Sequence, residues 1–336
     1  MKPVLEIIIT HCAEPWSVCE KMFKSLDIQR GMTPGACSVT VVQDGDAGAL
    51  DEVRLMKEFS FVKKALLVPH GGVSAARNAG LDESAAEWVM FCDCDDLFYH
   101  AAAVRMILDA IEDAGDRADL IWGPVWIELR DNAGVWRKTL TEKNSIFIHG
   151  KIFRRAWLEE KGIRFAEGLD YSEDSLFCSV TDLEIDPARV GRIPEPIYMW
   201  CLRKGSCTES GRNAARNREH LMRHRIMMPE ICERRGKEYA ALTNACRGIF
   251  DAYHELCGGT IAADERARLE EMIARGLVIP WARALTETTV RDRLELMRIS
   301  WQATRRKGEM AADGPDTPFE AWLAGLKDRY GGSEKT

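Results

Sequence analysis

The sequence predicts an α/β fold, a mostly parallel sheet flanked by helices, followed by an α-helical C-terminal region. Three observations carry this. Short apolar runs alternate with helical patterns from Val4 to Ala114. Two of the runs end at aspartates, Asp44 and Asp93. From Arg212 onward, glycine and β-branched runs thin out and helical periodicity takes over. Strand–helix alternation implies parallel strands joined by helical crossovers, with ligands expected at the strands' carboxyl ends.

The elements follow in order. Val4–Thr10 reads as a buried strand and Trp16–Gln29 as a helix. Ser38–Gln43 is β-rich and stops at the turn signal Asp44-Gly45-Asp46. Asp51–Phe59 is helical and Ala65–Val68 is a short strand. Gly71-Gly72 opens a turn into Ser74–Leu81, a helix of small residues. Trp88–Cys92 is an apolar strand halted by Asp93, and Tyr99–Ala114 an amphipathic helix. A mixed block follows from Ala118 to Thr208. Its expected strands are Leu120–Ile127, Val190–Ile193 and Ile197–Trp200, and its expected helices Lys151–Glu160 and Asp174–Thr181. Further helices are expected at Ala214–Arg235, Glu238–Leu256, Ala262–Ala274, Val290–Thr304 and Pro318–Tyr330, with Pro229 breaking or kinking the first. Gly258-Gly259 and Gly314-Pro315 read as breaks. This divides the chain into residues 1–210, a helical second domain at 211–330, and a disordered tail at 331–336.

The net charge of −7 argues against sequence-independent nucleic-acid binding by the whole surface. The 11 cysteines are scattered and form no CxxC pair. They read as reduced, buried thiols, with no zinc cluster visible. The first residues do not form a signal peptide, and no apolar run approaches the ~18 residues of a membrane span. A cytoplasmic protein is expected, one that meets a membrane only peripherally.

The central motif is Trp88-Val-Met-Phe-Cys-Asp93-Cys-Asp95-Asp96, an apolar strand running into three carboxylates. Like charges this close need a positive partner. A hard divalent cation suits carboxylate oxygen, and Mg²⁺ or Mn²⁺ typically takes one or two carboxylates with water and phosphates. The plain alternative is that Asp95 or Asp96 caps the next helix. In Gly72–Gly80, small residues let the helix lie close to the sheet while Arg77 reaches a phosphate or an acidic partner. At Tyr171-Ser172-Glu173-Asp174, Ser172 could cap a helix whose first turn favours acids. A carboxylate there could instead serve as a general base beside a metal-bound nucleotide. The basic stretch Arg212, Arg216, Arg218, Arg223, His224, Arg225, with Arg234, Arg235 and Lys237, reads as a solvated helix face or a groove for an anionic acceptor. Trp281 and Trp301 read as core, or if exposed as sugar-stacking or partner contacts, including a homo-oligomer through these helices.

Taken in order, these segments resemble the inverting family 2 glycosyltransferases of the GT-A fold, over roughly residues 4–208. The matching stretches are Ile7–Thr10, Asp44, Gly72 to Gly80, Asp93 to Asp96, and Glu173-Asp174. The resemblance implies a GT-A domain with a helical C-terminal region and metal-dependent transfer from a nucleotide diphosphate sugar, a UDP-sugar. It implies Mn²⁺ or Mg²⁺ held by Asp95, with Asp93 at the metal or the ribose and Asp96 sharing either role. Thr10, Asp44 and Arg77 would hold the nucleotide. His149-Gly150-Lys151 would lie near the donor sugar. Arg203, Lys204 and Ser206 would face the pyrophosphate. Asp174 would be the base, with Glu173 beside it. The acceptor could be a glycan, a lipid-linked sugar, an anionic polymer or a modified nucleic acid. The chain departs from the family at His11-Cys12-Ala13, at Gln43 beside Asp44, and at Cys201. A nucleotidyltransferase would carry a glycine-rich loop after the first strand, and His11–Ser17 has no glycine. A nucleotide-binding scaffold with a degenerate site is the remaining alternative.

Overall fold

The first strand, β1 (Leu5–His11), is buried along its whole length. That fits its apolar run, since a parallel strand is covered on both faces. The computed structural model describes residues 2–33, 35–48, 50–130, 136–141, 146–169, 171–203, 214–257, 263–274, 321, 325, 326, 328 and 329. These fall into two compact units, Met1–Ser210 and Gly211–Thr336.

In the first unit β1 is followed by α1 (Trp16–Asp27), β2 (Cys37–Asp44), α2 (Glu52–Glu58), β3 (Val62–Val68), α3 (Val73–Glu83) and β4 (Trp88–Asp93). Then come β5 (Leu97–Phe98), α4 (Ala103–Ala114), β6 (Leu120–Trp122), β7 (Val125–Arg130), β8 (Trp136–Thr141) and β9 (Lys151–Arg154). The unit ends with α5 (Arg155–Glu160), α6 (Glu173–Glu184), β10 (Val190–Arg192) and β11 (Tyr198–Trp200). Seven strands form one sheet in the order β10-β6-β9-β4-β1-β2-β3, and four form a second in the order β5-β11-β7-β8. In the large sheet β9 runs antiparallel to both neighbours. The other pairs are parallel.

Two sequence expectations change here. Lys151–Arg154, expected to begin a helix, is the strand β9 wedged between β4 and β6. A short apolar run does not distinguish strand from helix, and the vacant place in the sheet decides it. The single strand expected over Leu120–Ile127 is two. The chain leaves the large sheet at Gly123-Pro124 and enters the second as β7, where a side chain on Gly123 would collide with Ile197.

Helix α3 lies close to the sheet, as its small residues suggested. A Cβ on Gly80 would strike Ile8 Cγ2. Buried Glu6, inside β1, is satisfied by Thr40 Oγ1 at 2.5 Å and Ser84 Oγ at 2.6 Å.

The second unit contains α7 (Ala214–Arg234), α8 (Glu238–Cys257) and α9 (Ala263–Ile273), which pack on one another. Pro229 lies inside α7 and does not end it. Packing against α8 and α9 offsets the lost backbone hydrogen bond. Among the described residues no helix is long and apolar enough to cross a membrane. The helix expected over Val290–Thr304, most of Pro318–Tyr330, the breaks at Gly258-Gly259 and Gly314-Pro315, Trp281, Trp301 and the tail at 331–336 lie outside the described residues. So do Arg212 and the side chains of Arg216 and Arg218.

Candidate active site

The parallel register sets Thr10 beside Asp93, while Asp44 ends the neighbouring strand β2. These carboxyl ends of β1, β2 and β4 are where a doubly wound sheet presents ligands.

Arg77 is the hinge of the site. It is 3% exposed, and α3 delivers it between two elements. Its NH2 donates to Asp93 Oδ1 at 2.9 Å and its NH1 to Glu173 Oε1 at 2.8 Å. Its guanidinium lies over the Phe165 ring, and its buried Nε has no hydrogen-bond partner among the described residues. Arg77 was expected to reach a phosphate or an acidic partner. Its placement makes it an internal counterion for two acids.

Asp93 also accepts from Thr10 Oγ1 at 3.4 Å and from His149 Nε2 at 3.1 Å. Burial pushes its pKa up, but Arg77 and His149 outweigh that and hold it well below the usual carboxylate range. The same contact outweighs burial at His149, whose pKa rises. His149 stacks on Tyr198, with the ring planes 12° apart. Gly150 follows with φ 74°, and a Cβ there would strike Gly123 O, so this turn requires glycine.

Asp96 is fully buried. Its Oδ2 accepts from Tyr198 OH and its Oδ1 from Cys201 N, both at 2.8 Å. Burial raises its pKa to about 8. The donor atoms of Asp93, Asp96 and His149 lie within 4.8 Å of one another. Asp96 is held by Tyr198 and Cys201, and with Asp93 and His149 it forms a group whose ligand atoms are close enough to hold a metal ion. The capping alternative fails, because α4 begins at Ala103 with no side-chain cap.

Asp95 points the other way. Its Oδ2 accepts from Arg203 Nε at 3.1 Å, and Arg203 NH2 reaches Glu14 Oε1 at 3.5 Å. Burial and the charge of Asp93 raise the Asp95 pKa. Its Oδ1 accepts no hydrogen bond among the described residues.

Asp44 is buried and fastens the entry to α3. It accepts from Gly71 N at 2.8 Å, Gly72 N at 3.1 Å and His70 Nδ1 at 3.0 Å. Glu173 and Asp174 open α6, whose N-cap Ser172 is left-handed (φ 63°) and makes no side-chain capping bond. The expected Ser172 cap is therefore absent. Asp174 Oδ1 takes Ser175 N at 2.7 Å, and its Oδ2 is unbonded among the described residues. Burial, and then the charge of Asp174, raise the Glu173 pKa to about 7 against Arg77.

Lys151 lies elsewhere. It is 2% exposed, and its Nζ donates to Phe147 O at 2.5 Å and Cys178 Sγ at 3.0 Å beneath the Trp122 ring. Two of its three donors are used inside the core, away from the strand-end aspartates where it was expected. Two residues earlier, His149 is the side chain that turns to the site. Its only signal in the sequence was its place in the His149-Gly150-Lys151 stretch. Tyr198 gave no signal as a site residue. Lys204 and Ser206 lie outside the described residues.

A mostly parallel sheet with strand-end carboxylates facing a second acidic helix start defines the GT-A class of α/β folds. Residues 6–170 match the family model for glycosyl transferase family 2, and the chain carries a domain of that family. It is 20% identical over 232 residues to the uncharacterized glycosyltransferase YibD of Escherichia coli (strain K12), a match covering 61% of this chain and 64% of that protein. Among solved structures it resembles residues 1–349 of S. aureus TarS in complex with UDP-GlcNAc, with a TM-score of 0.61, 16% identity and 92% of each chain covered. Against a longer S. aureus TarS structure it covers 88% of its own length and 50% of that chain, with a TM-score of 0.59 and 16% identity. The chain thus spans about half to two thirds of the longer proteins it matches.

Proposed function

We propose that this protein is an inverting glycosyltransferase that moves a sugar from a UDP-sugar to an acceptor hydroxyl. One observation carries the reading. The ion-paired path Asp93–Arg77–Glu173 joins the strand-end aspartates to the helix start that bears Asp174. The likeness to TarS with bound UDP-GlcNAc supports the donor class.

The strand-end donors are all oxygens, and the open Oδ1 of Asp95 suits a hard cation, Mg²⁺ or Mn²⁺. Asp95 would be the direct ligand, with Asp93 at its side or at the ribose. When bound, the cation neutralises charge on the departing pyrophosphate. The protein's own groups do the rest. Asp44 has three of its roughly four acceptor positions filled, leaving one for a base N–H. Thr10 on β1 lies between Val42 and Asp93 in the register and donates to Asp93. Arg77 and His149 fix the Asp93 carboxylate. Arg203 holds Asp95 until a pyrophosphate competes for its guanidinium. Asp174 uses its unbonded Oδ2 to take the proton as the acceptor oxygen attacks the anomeric carbon. The bond to the β-phosphate breaks on the opposite face, so configuration inverts. Proton transfer concerted with attack suits an ordinary carboxylate.

Calorimetric titration with UDP, GDP and CMP, each with and without Mn²⁺, tests the reading. Mn²⁺-dependent binding of UDP is expected. Failure of all three nucleotides to bind would overturn it in favour of a degenerate scaffold.

A further inference from the structure

The sequence shows no zinc cluster, since no tight group of cysteines and histidines with zinc-site spacing is visible. The fold gathers three of them outside the donor site. His11 at the end of β1, Cys19 in the first turns of α1, and Cys94 just past β4 bring their ligand atoms within 4.8 Å of one another. Their side chains are almost fully buried, at 2%, 0% and 2% exposure. Glu14, half-buried in the loop above, adds a carboxylate, with Oε2 3.4 Å from Cys94 Sγ and 3.9 Å from His11 Nε2.

We propose that His11, Cys19 and Cys94, with Glu14 as fourth ligand, form a structural site for zinc or a similar borderline-soft divalent cation. Thiolate and imidazole are the ligands such a cation selects, and this set excludes Mg²⁺. Zinc bonds of about 2.3 Å to sulfur and about 2.0 Å to nitrogen put tetrahedral ligand atoms about 3.5–3.8 Å apart. Side-chain adjustments of about 1 Å close the site.

The hydrogen bonds of His11 point the same way. Its Nδ1 faces Gln43 Oε1 at 2.5 Å, and that amide is oriented by Gln43 Nε2 donating to Cys12 O at 2.6 Å. Its Nε2 faces Glu14 O at 2.8 Å. Both ring nitrogens face oxygen acceptors, and the ring stands against the sulfurs of Cys19 and Cys94. A metal ligand needs Nδ1 to donate to an oxygen while Nε2 is surrendered, and Gln43 already fixes that tautomer. The cation takes the place of any proton on Nε2 and on the two sulfurs, and these protons leave to solvent. So held, it joins β1, α1 and β4 directly beneath Asp93 and Asp95.

Co²⁺ added to chelator-treated full-length protein is the probe. The expected result is a near-ultraviolet thiolate-to-cobalt charge-transfer band, displaced by Zn²⁺, lost in Cys19→Ser and Cys94→Ser, and kept in Asp95→Asn. No such band in the wild type, or a band unchanged in either cysteine variant, overturns the proposal. If circular dichroism shows that the cysteine variants do not fold, X-ray absorption of the zinc-loaded wild type decides. A shell with both sulfurs supports the site, and a shell of nitrogen and oxygen alone overturns it. None of these readouts depends on nucleotide binding or transfer.

Discussion

On the inner side of the acidic site, Asp93 and Asp96 have all their carboxylate oxygens engaged by Arg77, Thr10, His149, Tyr198 and Cys201. On the outer side, Asp95 and Asp174 each retain an oxygen with no hydrogen bond among the described residues, although Asp95 is only two positions from Asp93. The difference separates orientation from chemistry. Fully buried Asp96 must be completed by the protein, or its desolvation destabilises the fold. Exposure does not separate Asp93 (28%) from Asp95 (20%); the neighbouring donors do, and Asp95 keeps one acceptor for a substrate or cation. The inner acids thus hold the frame in which the outer acids meet ligands.

Four experiments break or sharpen this division. The largest effect belongs to Asp174→Asn. Transfer should fall by about 10²–10⁴-fold, the worth of a general base, while calorimetric UDP affinity is unchanged. Retained turnover would take Asp174 out of its role. Arg77→Met should act on the fold instead. It strands Glu173 without its counterion and leaves Asp93 with His149 alone, and breaking a buried pair costs about 3–5 kcal/mol, read as a lower urea midpoint. An unchanged midpoint would mean that the inner acids do not need Arg77. Asp95→Ala should leave the midpoint near wild type but remove the Mn²⁺ dependence of UDP binding. An unaltered metal titration would show that the outer carboxylate is no ligand.

The smallest effect is a pH slope. Burial, then the charge of Asp174, raises Glu173 from 4.5 to about 7 in the folded protein. A carboxyl group with a raised folded pKa stabilises the fold while protonated. That contribution is full below about pH 4.5 and is lost as pH rises through about 7. Glu173→Gln should therefore flatten the part of the stability profile between those values, measured as urea midpoints at about pH 5 and about pH 8. An identical slope in both proteins would place the titration elsewhere.

Much of this was legible in residue order. Continuous apolar runs such as Ile7–Ile9 and Trp88–Cys92 identify strands buried on both faces, because such strands carry no polar side. A carboxylate cluster directly after such a strand identifies the ligand edge, since chain connectivity places it there. The closeness of α3 to the sheet follows from Gly80 and its small neighbours.

Contacts between distant segments were not legible. Period and propensity do not report which vacancy a segment fills, so Lys151–Arg154 became a strand between β4 and β6 rather than a helix. Nor do they report which of two nearby side chains turns inward, so His149 and not Lys151 meets Asp93. Asp96 looked equivalent to Asp95 until Tyr198, 102 positions away, took its Oδ2. The His11–Cys19–Cys94 cluster exists only because β1, α1 and β4 converge. The sequence by itself determined the elements, their order and the acidic edge, through local sterics and apolar patterning. The tertiary structure decided which acids are sealed and which stay open, because desolvation and counterions depend on neighbours that only folding supplies.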